Sequence, residues 1–120
     1  MQDFTQLKVW QKAHNFTINV YKITSEFPPE EKFSLTSQIR RASISIESNL
    51  AEGCGRNRDT EFSRFLDIAQ GSCYEVKCQV FIARDLKYIS KDKSILLVSK
   101  LDEIMRMIFA LNQKLKAKSL

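Results

Sequence analysis

Three glycines and two prolines in 120 residues leave little material for the repeated tight turns of an all-β fold, since hairpin turns draw on glycine's positive φ and proline's fixed one. A single histidine excludes a di-iron centre built from two Glu-x-x-His motifs, which needs one from each. Three cysteines cannot all pair within one chain, and Cys73 and Cys78 are wrongly spaced for a Cys-x-x-Cys redox or zinc motif. All three read as buried or half-buried thiols. No run of about 18 apolar residues could span a bilayer. The opening MQDFTQLKVW lacks the basic segment and apolar core of a secretory signal, so the expected compartment is the cytoplasm. His14 has no cysteine or carboxylate cluster beside it in sequence and reads as a structural or surface histidine. Neither a nucleophile beside a base nor a ligand set for a metal or cofactor is recognisable, which argues against an enzyme.

What the sequence does have is helical periodicity. Leu7, Trp10, Ala13, Phe16 or Thr17, Val20 and Ile23 recur at three- and four-residue steps, as do Leu35, Ile39, Ala42, Ile46 and Leu50. Phe62, Phe65, Leu66, Ala69, Cys73, Val76, Val80 and Ala83 form a third stripe, and Leu97, Leu101, Ile104, Ile108, Leu111 and Leu115 a fourth. The breaks between them are Pro28-Pro29, the Gly53–Gly55 region and Tyr88-Ile89-Ser90. The spacing predicts one domain over 1–120 with helices near 6–25, 34–53, 59–86 and 91–116, packed as an antiparallel up-down-up-down four-helix bundle. Asp3 or Thr5, Ser34 or Thr36, Asn57 or Asp59, and Ser90 are the candidate caps, and Pro29-Glu30-Glu31 can form one extra helical turn.

Gly53 and Gly55 are expected to supply permissive backbone at the exit of the second helix. Gly71, in mid-helix, should cost about 1 kcal/mol relative to alanine, which predicts close approach of a neighbouring helix. Apolar positions left off the stripes, namely Ile44 on the second helix and Ile95, Val98, Met105, Met107 and Phe109 on the fourth, suggest burial between subunits.

Residues 91–120 hold seven bases against three acids, nearly all of the formal charge of +5. Arg40 and Arg41 lie along the second helix, Arg56 and Arg58 beyond its end, and Arg64 in the third. Arginine's planar fork suits phosphate. Arg40, Arg41, Arg56, Arg58 and Arg64, assisted by Lys114, Lys116 and Lys118, are therefore the candidate residues for RNA or DNA backbone. The alternative is a solvated, ion-paired surface on an assembly protein that contacts another protein. Arg40 and Arg41 differ by about 100° around the helix, so at most one can easily face the core side.

The segments Leu35-Thr36, Gln38-Ile39-Arg40-Arg41-Ala42, Ser45-Ile46 and Asn49-Leu50-Ala51-Glu52-Gly53 with Arg56 carry a family resemblance. So do Val9-Trp10-Gln11-Lys12-Ala13, Phe27-Pro28, Arg64-Phe65-Leu66 and Gly71-Ser72. They resemble the pattern of the four-helix-bundle proteins called 23S ribosomal RNA intervening-sequence proteins. The chain is similar also to the accessory variability determinant proteins of diversity-generating retroelements, basic bundles that associate with nucleic acid and a reverse transcriptase. The resemblance implies homo-oligomers, with rings of five among relatives, and no agreed activity. It also implies that Asn49 and Glu52, with Gly53 and Gly55, fasten the end of the second helix and the turn beyond it.

Overall fold

The computed structural model describes residues 3–119; Met1, Gln2 and Leu120, at the ends of the expected 1–120 domain, lie outside the described residues. Four helices carry the fold: α1 (Lys8–Thr24), α2 (Leu35–Cys54), α3 (Asp59–Asp85) and α4 (Lys91–Ser119). Short 3-10 turns cover Phe4–Gln6 and Pro29–Glu31, and no strand occurs among the described residues. The molecule is a rod of 48 × 22 × 20 Å.

Side-chain pairing sets the helix directions. Thr17 of α1 donates to the Ser43 carbonyl of α2, while Arg40 of α2 reaches Thr24 near the end of α1. Between α2 and α3, Ser45 meets Ser72 and Gly53 meets Phe62. Between α3 and α4, Ser63 meets Asn112, Gln70 the Met105 carbonyl and Lys77 Asp102. In each pair one number rises as the other falls, which is antiparallel packing. Contacts also join α1 to α4, so the four helices close around one core while the diagonals stay apart. Ile46, Leu50, Leu66, Val76, Val80, Leu101, Ile104 and Ile108 have at most 1% of their surface exposed. Each lies on one of the sequence stripes, as the helical period requires.

The helix starts depart from expectation in three places. Asp3 accepts from the Thr5 amide at 3.0 Å, an aspartate turn that caps the 3-10 turn, so α1 begins only after Leu7 with no side-chain cap. At α2 neither Ser34 nor Thr36 caps; Glu31 reaches in from the preceding turn and accepts from the Leu35 amide at 3.2 Å. Arg58 occupies the cap position of α3 with no side-chain bond, which leaves Asn57 and Asp59 without a capping role. Asp59 and Glu61 instead place negative charge in the first turn of α3, where the helix dipole favours it. Ser90 does cap α4, accepting from the Lys93 amide at 3.1 Å. At the end of α3, Lys87 has φ 65°. The Tyr88 amide bonds back to Ala83 and the Lys87 amide to Arg84, a paired helix stop that usually recruits glycine.

The glycines are explained differently from the sequence reading. None has positive φ, and Gly55 sits at φ −81°, ψ −4°, open to any residue. Gly53 is required by packing: a Cβ there would lie 2.8 Å from both Phe62 Cδ1 and Phe65 Cβ. Gly71 faces open space, with nothing within 4 Å of a built Cβ, so no neighbouring helix of the bundle accounts for it.

Cys54 and Cys73 are buried and Cys78 is exposed, against the expectation that all three would be covered. The reason is register: Cys78 falls on the outer side of α3, two positions from Val76 and Val80. Burial pushes the Cys73 thiol up to about 12, and burial together with the Asp3 carboxylate raises Cys54. Because the thiolate is the reactive form, a colorimetric thiol titration of the native protein should show one rapid equivalent, abolished by Cys78→Ser, and the remaining thiols only on unfolding.

Candidate nucleic-acid interface

The eight basic candidates do not form one site. Arg40 and Arg41 lie near the start of α2, and the roughly 13 residues to its end separate them from the α2–α3 turn by about 20 Å at 1.5 Å per residue. Arg41 is exposed. Arg40 is half-buried: its Nε donates to Thr24 Oγ1 at 2.8 Å, its Nη2 donates to the Tyr21 carbonyl at 3.3 Å, and its guanidinium lies 4.4 Å from the Tyr21 ring centroid. It ties α1 to α2.

Arg56, Arg58 and Arg64 gather at the opposite end. The close crossing at Gly53 brings α3 against the last turn of α2 and sets Phe65 beneath the turn. Arg56 and Arg64 then both stack on the Phe65 ring, at 4.9 and 5.1 Å from its centroid. Such contacts are worth about 0.5–1 kcal/mol at exposed sites. They position a guanidinium and leave its N–H groups on the edge able to donate. Glu52 approaches Arg56 only at 4.0 Å with both side chains well exposed, a pairing of little energetic weight. Arg58 and Arg64 have no carboxylate in ion-pair range among the described residues.

The end of α4 reaches the same end of the rod, where Lys114 borders Gln6, Leu7 and Lys8 on the α1 side. Asn112 accepts from the Ser63 hydroxyl and donates to Asp67 Oδ1 at 2.8 Å, lashing the start of α3 to the end of α4. Exposed Lys114, Lys116 and Lys118 follow directly. Asp3, Glu52, Asp59, Glu61 and Asp67 also lie towards this end, so the arrangement is a set of protruding cations on a mixed surface. Ser63, Asp67 and Asn112 escape the sequence reading, although Asn112 gave a signal: a polar residue on the Ile108–Leu115 stripe must find a partner. Phe65 was legible as core but not as a platform.

Of the residues that the resemblance gives to the turn, Gly53 and Gly55 hold it through their backbone groups, whereas the side chains of Asn49 and Glu52 do not. Asn49 donates back to the Ser45 carbonyl at 2.8 Å and to its hydroxyl at 3.0 Å, within α2 and away from the turn. The exposed Glu52 side chain fastens nothing firmly, and the turn is held by backbone bonds from the Gly55 amide to Ala51 and Glu52. His14 stacks on Trp10 at 4.9 Å and bonds Glu47 Oε2 at 2.9 Å, joining α1 to α2. The described residues hold no group of three His, Cys, Asp or Glu placed to bind a metal, and no helix among them is long and apolar enough to cross a membrane.

The profile of the 23S rRNA-intervening sequence proteins matches residues 5–110. The chain belongs to this family. The family match takes in Arg40, Arg41, Arg56, Arg58 and Arg64 and stops before Lys114, so the three lysines lie outside it. A crystal structure of a protein of unknown function from the S23 ribosomal protein family of Bacteroides thetaiotaomicron is similar to this member of the 23S rRNA-intervening sequence family at 21% identity. It covers 88% of this chain and 95% of that one with a TM-score of 0.81, a likeness of fold. No curated protein matches the chain.

Proposed function

We infer that this family member works by binding rather than catalysis, as a cytoplasmic homo-oligomer that grips RNA or DNA backbone at the end of the bundle where α2, α3 and α4 present their cations. The observation that carries it is the grouping of Arg56, Arg58 and Arg64 at the α2–α3 turn, two of them braced on one aromatic ring, at the end of the rod to which α4 also brings Lys114, Lys116 and Lys118. Braced guanidiniums lose less freedom when they meet phosphate. The family description, which names an intervening sequence of 23S rRNA, and the sequence likeness to accessory proteins of diversity-generating retroelements support the same direction. Among the described residues no base-stacking array accompanies these cations, so recognition would be directed at the backbone and largely indifferent to sequence.

Oligomerisation rests on a separate observation. A groove between α3 and α4 is lined by Phe81 and Ile95 among others, and Tyr74 and Phe109 on the same two helices are, like Ile95, about three-fifths exposed. Exposed aromatic and aliphatic side chains around a groove mark interaction surfaces. This favours subunit assembly, with rings of five the arrangement implied by the sequence resemblance. It also favours the second reading, a scaffold that holds a protein partner without nucleic acid. Light scattering at micromolar concentration should return a multiple of 13.9 kDa; the monomer mass would overturn the assembly claim. Titration of RNA and DNA oligonucleotides at low salt should show binding that weakens steeply with salt, whereas none with either polymer would leave the scaffold reading.

A further inference from the structure

The end of the bundle opposite the clustered arginines contains a recess of about 270 Å³, lined by Thr24, Ser25, Phe27, Lys32, Thr36 and Arg40 together with the two prolines. Its lining has two cations, three hydroxyls and no carboxylate. Among the described residues, neither Arg40 nor Lys32 has a carboxylate within ion-pair distance. Glu31, next to Lys32 in sequence, is occupied by the Leu35 amide and the Tyr88 hydroxyl. A half-buried guanidinium with only neutral partners is an unusual element in a small bundle, because desolvating a charge is costly unless an opposite charge answers it.

Arg40 is also pre-oriented. A guanidinium has five N–H donors; Nε is committed to Thr24 and one Nη2 hydrogen to the Tyr21 carbonyl, while the Tyr21 ring stacks beneath. Of the three N–H groups that remain, two sit on the Nη1–Nη2 edge, an edge that meets two oxygens of one anion side by side. Among the described residues the Thr36 hydroxyl has no hydrogen-bond partner and supplies a further donor, and Lys32, whose ammonium lies 5.4 Å from the Phe33 ring centroid, brings a second positive charge to the lining.

We propose that this recess is an oxyanion site that takes a phosphate group of the monoester type. The chemistry selects that class: two positive charges match a dianion, which a phosphate monoester carries near neutrality and a backbone diester does not. The phosphate could belong to a small solute or to the terminal phosphate of a nucleic acid. The site does not rest on the basic-end reading, since the two sets of residues lie at opposite ends of the rod.

The test is thermal unfolding of the full chain in increasing inorganic phosphate, with ionic strength held constant by chloride. Binding to the folded state alone raises Tm with the logarithm of ligand concentration, and a dissociation constant on the order of 1–10 mM is expected for so small a ligand. Arg40→Gln should weaken the effect at least tenfold. Because that variant also loses contacts to α1, Thr36→Val and Lys32→Gln, which leave those contacts in place, should each weaken it several-fold. Arg41→Gln, on the exposed side of α2, and the double variant Arg56→Gln/Arg58→Gln should leave it unchanged. A 5′-phosphorylated oligonucleotide that competes where its 5′-hydroxyl counterpart does not assigns the site to a nucleic-acid end; phosphate binding without that competition assigns it to a solute. No stabilisation beyond that given by chloride, or stabilisation lost equally in Arg41→Gln, overturns the proposal.

Discussion

Leu101→Ala should lower the stability of the bundle by about 2–5 kcal/mol, the range for removing a fully buried leucine when the surroundings collapse only in part. For a domain of this size that is a fall in Tm of roughly 8–20 °C. Leu101 has no exposed surface and sits on α4 amid the core that all four helices share. Chemical denaturation should show a shifted midpoint with an unchanged slope, and the same result is expected for Leu66, equally covered on α3. A loss below 1 kcal/mol at both positions would mean that the stripes do not meet in one core.

Gly53→Ala should cost about 1–3 kcal/mol, because overpacking forces side chains or backbone to move. One of the two atoms 2.8 Å from the new Cβ is Phe65 Cβ, which cannot swing aside without the helix itself. The displacement would pass to the ring on which Arg56 and Arg64 rest. Gly71→Ala should do the reverse, gaining up to about 1 kcal/mol from helix propensity, since its Cβ meets nothing within the bundle. Thermal melts of the two variants side by side separate a glycine kept for packing from one that the isolated chain does not need. A melt that concentration makes sensitive to Gly71→Ala would place that position against another copy.

These two glycines also show how far the sequence could be read. Periodicity reveals which side of each helix is apolar, and Leu35, Ile46, Leu66, Val80, Leu101 and Ile108 are all buried as their spacing requires. It does not reveal which helix comes closest at which residue. Close helix approach is expected from the sequence at mid-helix Gly71, whereas the structure has it at Gly53, at the helix exit. The basic candidates follow the same logic. Arg40 and Arg41 are neighbours in the chain, but the turn of the helix leaves one tied to Tyr21 and Thr24 and the other in solvent. Antiparallel packing then carries both to the far end from Arg56, while it draws Lys114 in from the other end of the sequence. The contact between Asn112, Ser63 and Asp67 that brings Lys114 there spans more than forty positions and lies beyond any local pattern.

If nucleic-acid backbone is held at the α2–α3–α4 end, the salt dependence of binding should differ between wild-type and charge-neutralised chains. For a fluorescent single-stranded RNA, log–log plots of affinity against salt should lose about 0.7 of slope for each phosphate contact removed, and about 0.9 on duplex DNA. The triple variant Arg56→Gln/Arg58→Gln/Arg64→Gln should flatten the line accordingly and keep its helical circular dichroism, while Arg41→Gln should retain the wild-type slope. A triple variant that binds with the wild-type slope, or an Arg41→Gln variant that loses as much as the triple, would contradict the assignment.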